Sequence, residues 1–178
     1  SKTRFYRGFC HGSPGRAPPI KGVVYDFAES RAGEHARAFL GDWKGTLVCD
    51  DYAGYKACFA GGILEAGCMA HARRKFFDLQ QNATSQVAGA ALEYIGELYG
   101  IERDVKELDT GSRQQIRQRR AKPIADALHE WMQLTRQKIT DGSATAKALD
   151  YSLKRWAALT RYLDDGQLPI DNNWIENQ

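Results

Sequence analysis

Thr46-Leu47-Val48-Cys49-Asp50-Asp51-Tyr52-Ala53-Gly54-Tyr55 is the stretch on which the fold turns. Thr46 to Cys49 is short, apolar and partly β-branched, which reads as a buried strand. The run ends on two carboxylates. An aspartate at the C-terminal tip of a buried strand sits where α/β folds gather their chemistry, so Asp50 is the first candidate site residue. A structural role competes: Asp50, or equally Asp51, would cap the short helix or turn that starts at Tyr52 and closes at Gly61-Gly62.

Upstream, Val23, Tyr25 and Phe27 alternate with Val24 and Asp26, the period of a half-buried strand, behind a turn-rich lead-in from Gly12 to Pro19. Arg31 to Trp43 carries Ala36, Phe39, Leu40 and Trp43 at helical spacing, with Ser30 as N-cap and Gly33-Glu34 in the first turn. Ile63 to Cys68 reads as another short strand. From His71 onward the period changes. Phe76, Phe77 and Leu79 open an amphipathic helix, and Val87 to Leu108 continues with a strong helical stripe. Gln114 to Ile139 is predicted as a third long helix, kinked or divided at Pro123. Ala144 to Leu163 is predicted as a fourth, stopped by Asp165-Gly166. Asp171 then stands where it can cap a last helix that has barely begun at Gln178.

The 178 residues are 43% apolar and 26% charged, a soluble globular balance that excludes disorder and fibrous chains. No run approaches the roughly 18 consecutive apolar residues of a spanning helix, so no membrane partner is expected. Ser1 to Pro14 is basic and glycine-broken, unlike a secretion signal. Cys10, Cys49, Cys58 and Cys68 are therefore expected as reduced thiols in a cytoplasm. The net charge is only +3, but the positive charge is concentrated. Lys2, Arg4, Arg7, Arg16 and Lys21 precede the first acidic residue, Asp26. Arg73, Arg74 and Lys75 form a second cluster, and Arg113, Arg117, Arg119, Arg120 and Lys122 a third. A solvated face is the ordinary reading of each; three in one small chain favour a phosphate-binding surface.

Two further candidates are weaker taken alone. Glu176, in Asp171-Asn172-Asn173-Trp174-Ile175-Glu176, falls about one turn into the terminal helix, where a glutamate ordinarily just complements the macrodipole. Cys68 and His71, in Cys68-Met69-Ala70-His71, have a spacing that can share zinc, but two ligands do not make a structural site. The ordinary reading is a buried cysteine and a histidine bonded to a carbonyl or carboxylate.

Taken together, the blocks resemble the insertion-sequence 66 transposases. Asp50 to Tyr55 is similar to the family's strand-end motif. Gly67-Cys68-Met69-Ala70-His71-Ala72-Arg73-Arg74-Lys75-Phe76-Phe77-Asp78 is similar to the next block, and Trp156 to Asn177 to the third. Ser30 to His35 fits the stretch between the early strands. The resemblance implies an α/β fold: a ribonuclease H-like core of the DDE type, lacking its first strand here, with a large all-α insertion domain. The implied organisation is 1–80 for the first part of the core, 81–165 for the insertion and 166–178 for the start of the core's terminal helix. It implies metal-dependent phosphodiester cleavage and strand transfer at transposon ends. Asp50 and Glu176 match the second and third catalytic, metal-binding carboxylates, holding Mg²⁺ or Mn²⁺ in a two-metal site expected only in the full-length enzyme. Such carboxyls should lie within roughly 8 Å of each other. Arg73, Arg74 and Lys75 would bind DNA, transposon ends and target alike, and a homo-oligomer on DNA is left open. Cys68 and His71 resemble a Cys-x-x-His element of uncertain role. The family's first aspartate would lie upstream of Lys2, so the expectation is a fragment, inactive alone. The alternative is a non-catalytic remnant that serves as a DNA-binding or protein-interaction module.

Overall fold

The computed structural model describes residues 3–9, 22–28, 33–82 and 85–173, the first two stretches as backbone. The chain divides into two compact units. One comprises Ser1–Ala66 with Asp171–Gln178, and the other is Gly67–Ile170.

In the first unit, β1 (Thr3–Phe9) and β2 (Gly22–Ala28) form an antiparallel pair, with Thr3 opposite Ala28, Tyr6 opposite Tyr25 and Phe9 opposite Gly22. β2 contains the alternating run from Val23 to Phe27. Helix α1 covers Gly33–Leu40 and ends before the predicted Trp43; Ser30 and Arg31 lie outside the described residues. The helix stops at Gly41, whose φ of 51° places it in the left-handed region that glycine adopts after a helix. Trp43 has left the helix yet still packs on its core, against Ala36, Leu40, Leu47, Cys49, Cys58 and Ile63.

Strand β3 (Thr46–Cys49) turns Leu47 and Cys49 inward. A 3₁₀ turn (Ala53–Tyr55) and helix α2 (Lys56–Ala60) follow. The chain then returns as β4 (Leu64–Gly67), paired with β3 in a parallel two-stranded sheet. A parallel neighbour requires a crossover of about a dozen residues or more, and residues 50–63 supply it. The start of α1 meets the 3₁₀ turn backbone to backbone: a Cβ on Gly33 would lie 2.6 Å from the Gly54 carbonyl oxygen, so the approach needs glycine. Among the described residues the strands form two separate pairs.

The second unit is helical. Its elements are α3 (Met69–Asn82), α4 (Gln86–Asp104), α5 (Thr110–Ile116), a π turn (Arg117–Ala121), α6 (Lys122–Arg136), α7 (Ala144–Lys154), α8 (Trp156–Thr160) and a 3₁₀ turn (Arg161–Asp164). Side-chain oxygens cap three of these helices. Ser85 Oγ accepts from Ala88 N at 3.2 Å, Asp109 Oδ1 from Ser112 N at 3.0 Å, and Ser143 Oγ from Ala146 N at 3.1 Å. Each cap satisfies an amide that the first helical turn leaves without a partner. α3 packs on α4 and α7, and α6 packs on the same two helices. Phe76, Ile95, Leu98, Leu128, Met132 and Leu149 are fully buried between them.

Two predicted helices are not continuous. The run from Gln114 to Ile139 is divided by the π turn, and Pro123 stands in the first turn of α6, where its missing N–H costs nothing. The run from Ala144 to Leu163 breaks at Arg155, with φ −103° and ψ 9°. The amide of Met69 donates to the carbonyl of Ile170 at 3.0 Å, so the two ends of this unit are hydrogen-bonded to each other.

Candidate functional site

Asp50 follows directly on β3, which Leu47 and Cys49 anchor in the core of the first unit. Its carboxylate is half-buried. Oδ1 accepts from Tyr52 N at 3.3 Å, an Asx-type turn two residues on. The predicted capping role is thereby taken in part, although the 3₁₀ turn itself has Tyr52 at its N-cap and no side-chain cap. Oδ2 has no protein donor among the described residues. The local arrangement is therefore a strand-end carboxylate with one oxygen fixed and one available.

Glu176 lies outside the described residues, and so does its expected approach to Asp50. The described part of its motif is a turn: Asp171 Oδ1 accepts from Asn173 N at 3.1 Å and Oδ2 from Asn173 Nδ2 at 2.9 Å.

Arg73, Arg74 and Lys75 are all exposed on α3. The Arg73 guanidinium lies 5.7 Å from the Phe77 ring centroid, and Lys75 Nζ 4.4 Å from that of Tyr151. None of the three has an acidic partner among the described residues. Two residues upstream, His71 N donates to Cys68 O at 3.2 Å. Cys68 is a buried thiol, and His71 Nδ1 is buried without a hydrogen-bond partner among the described residues. No three His, Cys, Asp or Glu side chains among the described residues gather to hold a metal.

The third basic cluster is used differently from the phosphate-binding role its charge suggests. Arg117 is 1% exposed. Its Nε and Nη2 make a bidentate pair with Glu102 at 2.8 and 2.6 Å. Its Nη1 reaches the carbonyls of Tyr162 at 3.0 Å, Asp165 at 2.6 Å and Leu168 at 2.9 Å. Two N–H groups serve three acceptors, so one bond is shared. Arg113 bonds the carbonyls of Val105, Lys106, Leu108 and Gly166. Gln114 and Gln118 take those of Asp164 and Leu163. Arg120 pairs with Asp104, and Lys122 with Asp126. Arg113, Gln114, Arg117 and Gln118 therefore clamp the irregular segment 162–168 to the helices. Burial pushes the Tyr162 phenol well above its ordinary range, and the Glu102 carboxylate adds to the shift.

Arg117 is the residue that reading by charge misplaces. The available signal was positional. Arg117 heads the series 117, 121, 125, 128 and 132, whose other members, Ala121, Ala125, Leu128 and Met132, are buried. An arginine on the apolar face of a helix is there to satisfy something inside.

The transposase IS66 family model matches residues 8–178, and the chain belongs to that family. It is 35% identical over 192 residues to the uncharacterized protein y4hP of Sinorhizobium fredii, an alignment covering 97% of this chain and 34% of that protein. It is 35% identical over 169 residues to the uncharacterized protein y4jD of the same organism, covering 91% of this chain and 33% of that protein. The chain thus spans about a third of the length of these relatives. No solved structure matches it. Among the described residues no helix is long and apolar enough to cross a membrane.

Proposed function

We propose that this chain is part of the catalytic core of a DDE-type transposase with a ribonuclease H-like fold, acting on DNA at transposon ends. The observation that carries the reading is Asp50, placed at the end of β3 with one carboxylate oxygen bonded to Tyr52 N, in a chain of the IS66 transposase family. Carboxylate oxygens are hard donors that suit Mg²⁺ or Mn²⁺, so the donor set fits the metals. Asp50 and Glu176 would hold them, and the metals supply Lewis acidity for phosphodiester cleavage and strand transfer. Asp50 contributes a ligand whose direction is fixed by the buried strand behind it and by the Tyr52 amide. Arg73, Arg74 and Lys75 neutralise DNA phosphates. Joining two transposon ends calls for more than one copy on the DNA.

Iron-directed cleavage tests the metal site. Fe²⁺ supplied in place of Mg²⁺ to the full-length protein that contains this chain, with ascorbate and peroxide, produces radicals that cut the backbone beside the bound ion. Cuts are expected next to Asp50 and within 171–176, suppressed by excess Mg²⁺ and lost in Asp50→Asn. The absence of cuts at Asp50, or cuts that persist in the variant, overturns the assignment.

A further inference from the structure

Helix α3 presents two adjacent phenylalanines with opposite fates. Phe76 is wholly buried, while Phe77 is 42% exposed and is the one aromatic among the large exposed apolar side chains of the described residues. Arg73, one turn earlier, lies against the Phe77 ring, and Arg74 is exposed beside it. Lys75 extends the charge toward Tyr151 of α7. Asp78 is the one acidic residue of α3. Arg117, Arg120, Lys122 and Arg136 of this unit are ion-paired within the chain, whereas Arg73, Arg74 and Lys75 form a run of three consecutive exposed cations with no acidic partner among the described residues.

We infer that the outer face of α3 is a docking surface for single-stranded DNA, with Phe77 as a stacking platform for an unpaired base. The inference rests on the transposase reading above and goes further by naming the form of the DNA. The three cations select a polyanion. Phe77 selects among polyanions, because a duplex hides its base faces within its own stack. A single strand offers phosphates to Arg73, Arg74 and Lys75 and an open π-face to the ring, the combination that single-strand binding surfaces use.

The test compares the chain's binding to a labelled oligothymidylate and to a duplex of equal length at low salt. Phe77→Ala is expected to weaken oligothymidylate binding about tenfold and to leave duplex binding unchanged. Phe77→Trp should restore the single-strand preference and quench a fluorescent base analogue placed in the oligonucleotide. Phe77 is exposed, so neither variant disturbs the core, and unchanged circular dichroism checks this. Equal losses on both DNAs, or none on either, overturn the inference and leave the DNA reading standing. Polyglutamate competing as well as oligothymidylate overturns it in favour of an acidic peptide. Failure of the unmodified chain to bind either DNA removes the DNA reading and this inference with it.

Discussion

Replacing Arg117 by Met withdraws the guanidinium from a site where nothing else can take its place. The Arg117 and Glu102 side chains are 2% and 14% exposed, so the carboxylate left behind is poorly hydrated. Removing one member of a buried ion pair costs about 3–5 kcal/mol. The carbonyls of Tyr162, Asp165 and Leu168 lose their donor as well, each at roughly 1 kcal/mol or more if it stays buried. These costs overlap, because the segment 162–168 relaxes toward water once released. A loss of about 4 kcal/mol is therefore expected, a large share of the roughly 5–15 kcal/mol by which a domain is stable. Urea unfolding followed by the fluorescence of Trp131 and Trp156, both in this unit, reads it as a lower midpoint at unchanged slope. Replacing Glu102 by Leu in the same variant should return part of the loss, since the orphaned charge is gone while the carbonyls remain unserved. A loss below about 1 kcal/mol for Arg117→Met would refute the claim that this arginine holds the segment.

Two further outcomes follow from named groups. Hydrogen bonds from Ser112 hold the Asp109 carboxyl below its ordinary value of 3.8; a carboxyl depressed in the folded state stabilises it above about pH 4, and that contribution is lost as pH falls through the folded value. Asp109→Ala should thus lower the melting temperature at neutral pH by an amount that shrinks toward pH 3 or so, and a difference that widens in acid contradicts the cap. Changing Arg73, Arg74 and Lys75 together to Ala should weaken binding to every DNA and flatten the plot of log affinity against log salt by about 2.7; an unchanged slope would mean that these side chains do not meet phosphate.

The strands and Asp50 were legible because their signals are local. A β-branched apolar run ending in carboxylates constrains Thr46 to Asp50 whatever surrounds it, and the alternation from Val23 to Phe27 does the same for β2. The break at Arg155 was not legible, because the apolar period runs across it. Leu149, Leu153, Trp156, Leu159 and Leu163 keep helical spacing through Arg155, where the backbone leaves the helix. Pro123 drew the division of the third helix to itself, whereas the π turn lies just before it, at the arginine that reaches inward. Trp43 extended α1 on paper because a side chain can rejoin the core after its backbone has left the helix at Gly41. Charge counting failed at Arg113 and Arg117 for a related reason: a guanidinium binds carbonyls as readily as phosphates, and only the buried stripe around Arg117 tells the two uses apart. The strand-end position of Asp50 was therefore readable from sequence, while the meeting with Glu176 concerns residues beyond those described.

The bond between Met69 and Ile170 bears on chain entropy. If residues 67–170 were unfolded, bringing Ala66 and Asp171 together would mean closing a loop of about 100 residues, at a cost near 4 kcal/mol. Once folded, the helices hold Met69 and Ile170 side by side, so the closure is made inside the unit itself. The helical unit is thus a fastener as well as a surface. A substitution deep among its helices, touching neither Asp50 nor any cation, would let Met69 and Ile170 part, and its effect would grow with temperature as the helices open.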